Sequence, residues 1–138
     1  MKRIKWFEPP FKGCPTMWTL CTTEDEYHRA QRSAGLTRDE QLDWCISPSS
    51  LAGALTHFED RVIIVCAPLG TRVGILAHEA VHVWQHMMLD IGEHTPGDEQ
   101  AAYGIQHIVE TLVESMQERV AASKPKRRPK CTTMQQSS

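Results

Sequence analysis

The chain has 138 residues, 41% of them hydrophobic and 23% charged, the size and balance of one globular domain and not of a mainly disordered chain. Its longest apolar run, Val62 to Leu69, falls far short of the roughly 18 residues that span a bilayer. The basic start MKRIKWFEPPF meets Glu8 and two prolines where a signal peptide needs an apolar stretch; a membrane span and ordinary secretion are thereby disfavoured, and action in the cytoplasm is expected.

The net charge of −2 is unevenly spread. Residues 124–130, KPKRRPK, hold five positive charges and no negative one; the other ten Lys and Arg against 17 Asp and Glu leave residues 1–123 at −7. The expected organisation is one domain over 1–123 and a basic, solvated tail over 124–138. A body that acidic is a poor non-specific nucleic-acid binder, so only the tail is expected to touch phosphates, and weakly. The five cysteines, at 14, 21, 45, 66 and 131, form no CxxC pair. An odd count without a signal peptide suits reduced thiols, although Cys14 with Cys21, or Cys45 with Cys66, are pairings the sequence leaves open.

In chain order, residues 1–16 carry Pro and Gly and read as irregular, with Trp6, Phe7 and Phe11 pinning them to the body. A helix is predicted over 23–35: Thr22 or Thr23 caps it, Glu24, Asp25 and Glu26 suit its positive end, and Gly35 stops it. Thr37 and Glu40 have capping-box spacing, which predicts a short helix from 38 to about 45. Leu51–Phe58 is weakly patterned for a strand; Arg61–Ala67 is β-branched and apolar and is the best strand in the chain, and a turn at Glu59-Asp60 would make the two a hairpin. Thr71 is expected to cap a helix running to about Asp90, with Gly92 just past its end. Thr95, Pro96 and Asp98 suggest the start of another, which carries apolar residues at 101, 102, 105, 108, 109, 112, 113, 116 and 120 and ends near Ala122. The fold class is α+β.

The predicted helix over 71–90 contains His78-Glu79-Ala80-Val81-His82, the pattern HExxH. Residues four apart differ by about 40° around a helix axis, so His78 and His82 project together and their imidazoles can reach one zinc ion. Glu79 stands about 100° around from His78, beside the ion, where it can hold a water. Positions 75–77, 80, 81, 83 and 84 are uncharged, which suits a helix buried deep in the domain; Trp84, Met87 and Met88 read as core. The plain alternative is a pair of core histidines satisfied by hydrogen bonds.

A tetrahedral catalytic zinc needs a third protein ligand. Glu99, one turn into the next helix, is the first candidate, and its plain alternative is an acidic residue placed for the helix dipole. His94 is the rival. His86 continues the 78–82 face and is expected to point past the metal. Tyr103 shares the face of Glu99 and is a candidate donor to a developing oxyanion, with rim packing as the alternative; His107 follows one turn later.

LAHEAVHVWQ followed by PGDEQAAYGIQ resembles the minimal zinc metallopeptidases of the gluzincin type, nearest to small phage-encoded ones and more distantly to the ImmA/IrrE-type peptidases. The resemblance covers roughly residues 61–110. It implies a zincin-like domain in which a small sheet, the hairpin around 51–67, packs on the HExxH helix and a long C-terminal helix. It implies a zinc site of His78, His82 and Glu99, the last in Glu99-Gln100-Ala101-Ala102, where the family has ExxA. It also implies that Arg61–Ala67 is the edge strand along which a peptide substrate lies extended, and, if the phage likeness holds, action in the cytoplasm of a host. The short gap between His82 and Glu99 departs from the family and keeps an SprT-like arrangement open, with His94 as third ligand.

The expected function is zinc-dependent hydrolysis of a peptide bond, with Glu79 as general base. The competing reading is a zinc-stabilised binding or regulatory protein without hydrolysis, for which the retained Glu79 has no use. A cysteine hydrolase built on Cys45 or Cys66 has no local sequence support.

Overall fold

The computed structural model describes residues 2–47, 49 and 52–126; Leu51, Cys131 and the tail beyond Lys126 lie outside them. Three strands and three helices follow in the order β1 (Met17–Cys21), α1 (Glu24–Ser33), β2 (Ala54–Phe58), β3 (Val62–Cys66), α2 (Val73–Asp90) and α3 (Asp98–Ser123). The chain is α+β, with a mixed sheet in the order β1-β3-β2. Among the described residues no helix is long and apolar enough to cross a membrane.

All five residues of β3, VIIVC, are buried, as a continuous apolar run demands of a strand covered on both faces. Ile63 and Val65 point into a core shared with Trp18 and Leu20 of β1, Leu76, Ala80, Val83, Trp84 and Met87 of α2, and Ile108, Leu112 and Met116 of α3. Val62, Ile64 and Cys66 point the other way, into a smaller core with Tyr27 and Ala30 of α1 and Ile46. The sheet therefore lies between α1 and the α2–α3 pair.

The β2–β3 hairpin forms as expected, in antiparallel register from Ala54 opposite Cys66 to Phe58 opposite Val62. Asp60 turns the chain in the left-handed region at φ 54°, which Asp tolerates well. Strand β1 was not foreseen. It pairs in parallel with β3, Met17 opposite Val62, and Phe7 bridges to Trp18 on its outer side, so Phe7 and Phe11 do pin the irregular N-terminal segment to the body. The signal for it was a short apolar run, MWTLC, between Pro15 and the helix cap.

Helix α1 is built as read: Thr23 accepts from the Glu26 amide, and Gly35 leaves in the left-handed region at φ 83°. The helix expected over 38–45 is only a turn. Only half of the expected box forms: the Thr37 amide donates to Glu40 Oε1 at 3.1 Å, while the Glu40 amide donates to the Thr37 carbonyl. The buried Gln31 amide then takes both backbone groups of Leu42, at 2.7 and 3.0 Å, and pulls the chain out of helical geometry. Two caps are also corrected. Thr71 donates its hydroxyl to the Pro68 carbonyl at 2.6 Å, so α2 starts from Arg72 without a side-chain cap. The Thr95 amide is held by Glu93 at 3.0 Å, and α3 starts two residues later from Gly97.

Helices α2 and α3 pack closely where Gly104 lies on the Trp84 ring; a β-carbon there would fall 2.2 Å from the indole. Along the predicted stripe of α3, Ile108, Leu112 and Met116 are buried while Ala102 is exposed. Arg119 ties the far end of α3 to the sheet, donating to the Leu20 carbonyl at 2.7 Å and to the carboxylate of Glu26.

Candidate metal centre

Helix α2 is buried on one face only. Leu76, Glu79, Ala80, Val83, Trp84, Met87 and Met88 point inward, whereas His78 and Val81 are exposed; the even lack of charge along the helix had suggested deeper burial. His78 and His82 do project together. Their Nε2 atoms lie 3.1 Å apart, close to the roughly 3.3 Å that separates two donors on a tetrahedral zinc ion. The Nδ1 of His82 lies 3.1 Å from Gln85 Oε1. An amide oxygen only accepts, so Nδ1 carries the proton and Nε2 keeps its lone pair for a cation. Gln85 carries no motif signal beyond being polar and one turn past a candidate ligand.

Glu79 turns inward from the same helix turn and is 5% exposed. Burial raises its carboxyl above the usual range, and the neighbouring His78 and His82 charges pull it back in part. It packs against Gly53, at the entrance to β2, so closely that a β-carbon on Gly53 would lie 2.8 Å from Glu79 Cγ. A carboxyl that is dry, raised in pKa and adjacent to two imidazole donors is equipped to take up and release a proton.

The strand beside the motif is β2, not Arg61–Ala67 as expected. β3 is central because it is apolar on both faces, and β2 is the edge: among the described residues no strand pairs with its outer side. Its half-buried side chains alternate, Leu55 towards the α2 core and Thr56 towards Tyr27 of α1, whose hydroxyl it meets at 2.7 Å.

The other candidates are not gathered at the histidine pair. Glu99 is exposed in the first turn of α3, beside Asp98, where it meets the helix dipole. His94 is exposed in the loop between α2 and α3. Tyr103 is 69% exposed and lines a groove with Pro10, Phe11, Trp84, Gly104 and His107. Among the described residues no three His, Cys, Asp or Glu side chains converge as a ready-made metal site, so the donor set in place is the His78–His82 pair. Cys14, Cys21, Cys45 and Cys66 are free thiols; burial pushes the Cys66 thiol far up, the reverse of what a nucleophile needs.

One cluster had no place in the sequence reading. His57 of β2 reaches the last residue of α2, its Nε2 lying 2.9 Å from both oxygens of Asp90. Thr16 donates its hydroxyl to the same carboxylate, whose side chain is 3% exposed. His86 lies over His57, ring centroids 4.3 Å apart, and its Nδ1 is buried without a hydrogen-bond partner. Burial, and then the nearby His57 and His82 charges, lower its pKa. His86 thus points past the motif as expected, into a pocket of about 380 Å³ with His57 and Asp90. Comparison with protein-family models, with curated proteins and with solved structures found no significant match to this chain.

Proposed function

We propose that the chain is a zinc-dependent hydrolase of peptide bonds, with His78 and His82 as metal ligands and Glu79 as general base. The observation that carries this reading is the 3.1 Å separation of the two Nε2 atoms directly beside a buried carboxyl of raised pKa. The residues fit a zinc ion as a pair of nitrogen donors, one of them with its tautomer set by Gln85. The third protein ligand is proposed to be Glu99, with His94 as its rival. Both sit where the chain turns from α2 into α3.

A bound zinc ion supplies a Lewis acid that polarises a carbonyl and brings the pKa of water to about 7. Glu79 accepts the water proton on its carboxylate, and its burial holds the acid form long enough to return that proton to the leaving amine. The outer edge of β2 offers backbone donors and acceptors to an extended peptide passing Glu79. A non-catalytic zinc protein has no use for a carboxyl kept buried at this position, since burying an acid costs stability.

Metal analysis of the wild type alongside Glu99→Ala and His94→Ala tests the reading. About one zinc per chain, lost in Glu99→Ala and kept in His94→Ala, is the expected pattern. The reverse transfers the third ligand to His94. Wild type without zinc after metal-clean handling removes the proposal.

A further inference from the structure

Edge strand β2, entered through Gly53, packs on the α2 core through Leu55 and meets helix α2 again at either end of the stretch they share. At one end Gly53 lies against Glu79, with no room even for a methyl group. At the other, His57 is bound through Nε2 to both oxygens of Asp90. The strand advances four residues between these points, about 13 Å, and the helix eleven, about 16 Å. The two elements therefore run the same way and are joined at both ends of the shared stretch. An edge strand has a partner on one side only, so its placement across the helix depends on contacts of this kind.

The Asp90 end is built to hold. Its carboxylate is almost fully buried and closes the C-terminus of α2, where the helix dipole opposes a negative charge. What offsets that cost is the set of donors: the Thr16 hydroxyl from the start of β1, the His57 ring from β2 and the Asp60 amide from the β2–β3 turn. One carboxylate thus gathers three parts of the sheet onto the end of the helix that carries the motif. The His86 ring packs against the His57 ring, their centroids 4.3 Å apart.

We propose that the Asp90–His57 pair is a positioning clamp: it fixes where edge strand β2 lies across helix α2, and thereby holds Gly53 against Glu79. Asp90 and His57 are positioning residues, remote from the reacting atoms. Their catalytic meaning rests on the hydrolase reading; their geometric content does not.

The test is nuclear Overhauser contact in the full chain, read at two glycines on opposite sides of α2. The first is between the Gly53 α-protons and the Glu79 γ-protons. The second, a control, is between the Gly104 α-protons and the Trp84 ring. His57→Thr suits an edge strand but is too short to reach Asp90, whereas His57→Gln keeps a donor of similar reach. The clamp predicts that His57→Thr weakens the Gly53–Glu79 contact several-fold and leaves Gly104–Trp84 unchanged, and that His57→Gln restores the first. An unchanged Gly53–Glu79 contact in His57→Thr overturns the proposal, because the strand is then placed by β3 alone. Joint loss of both contacts, or failure to fold, also overturns it, because the pair is then a determinant of the whole fold. Hydrolysis of labelled denatured casein, assayed on wild type and Glu79→Gln, is read separately: an inert wild type with the expected contact pattern removes the hydrolase reading and leaves the clamp standing.

Discussion

Gly53 stands in van der Waals contact with the Glu79 carboxyl across the gap between the edge strand and the motif helix, and a β-carbon there would sit 2.8 Å from Glu79 Cγ and 3.0 Å from Oε1. Gly53 is needed for closeness, not for an unusual backbone angle, since it is absent from the glycines with positive φ. Gly53→Ala forces the carboxyl or the strand to move. The expected cost is about 1–3 kcal/mol of stability, read by urea unfolding, together with loss of most hydrolytic activity. A variant of wild-type stability and activity would show that the gap opens freely.

Glu79→Gln separates function from stability. Removing the general base should lower the hydrolytic rate by about 10²–10⁴-fold. The stability effect runs the other way. A carboxyl whose pKa is raised by folding contributes stability in full below its unfolded value, and that contribution is lost as pH rises through the folded value. Glu79 is such a group. Unfolding free energies in the presence of a chelator, measured from pH 4 to 7, should therefore show the variant gaining on the wild type as pH rises. A variant that loses ground over that range would mean that a cation holds the ionised carboxylate.

Gln85→Ala tests the tautomer argument. Without the amide oxygen at 3.1 Å, nothing fixes the proton on His82 Nδ1, and the ring is free to turn. Zinc affinity, measured by competition with a chromogenic chelator, should fall by about 10-fold with little change in the unfolding transition of the metal-free protein. Equal affinities would place the orienting contact elsewhere.

Asp90 predicts an acid limit. Burial alone would raise its carboxyl, but the hydrogen bonds from Thr16, His57 and the Asp60 amide, with the His57 charge, outweigh burial and hold it below its usual value of 3.8. A depressed carboxyl contributes stability that is present above the unfolded value and lost as pH falls through the folded one. Asp90→Ala should cost about 3 kcal/mol near neutrality, the penalty for breaking a buried pair. The difference from wild type should shrink below pH 3.8, monitored by thermal unfolding at stepped pH. A constant difference into acid would assign the loss to packing.

What the sequence made legible was local. HExxH is a spacing within one helix, so the approach of His78 to His82 follows from α-helical geometry wherever that helix lies. The apolar run of β3 and the β2–β3 turn were readable for the same reason. His57 and Asp90 are 33 positions apart and Thr16 and Asp90 are 74 apart, and no periodicity links them. β1 escaped because its partner comes 45 positions later. Thr71 and Thr95 have the composition of caps, but competing local hydrogen bonds occupy them, and composition does not say which bond wins. Glu99 and His94 were chosen for chemistry and chain proximity; their exposure depends on how the 91–97 loop lays α3 on α2, which is a tertiary matter.

The pairing of β1 with β3 has a consequence for the order of assembly. The hairpin and α2 occupy one uninterrupted stretch, and Gly53, His57, His78, Glu79, His82, Gln85 and Asp90 all belong to it. The pairings within the hairpin close the shortest loops, from Phe58 with Val62 to Ala54 with Cys66. His57 and Asp90 are 33 positions apart, and joining β1 to β3 closes a longer loop still, from Met17 to Val62, whose entropy must be overcome before parallel pairing gives any return. Loop closure thus favours a pathway on which the hairpin forms first and β1 joins it later, bringing Thr16 to Asp90. On such a pathway, substitutions in β1 chiefly speed unfolding, whereas substitutions in the hairpin slow folding itself.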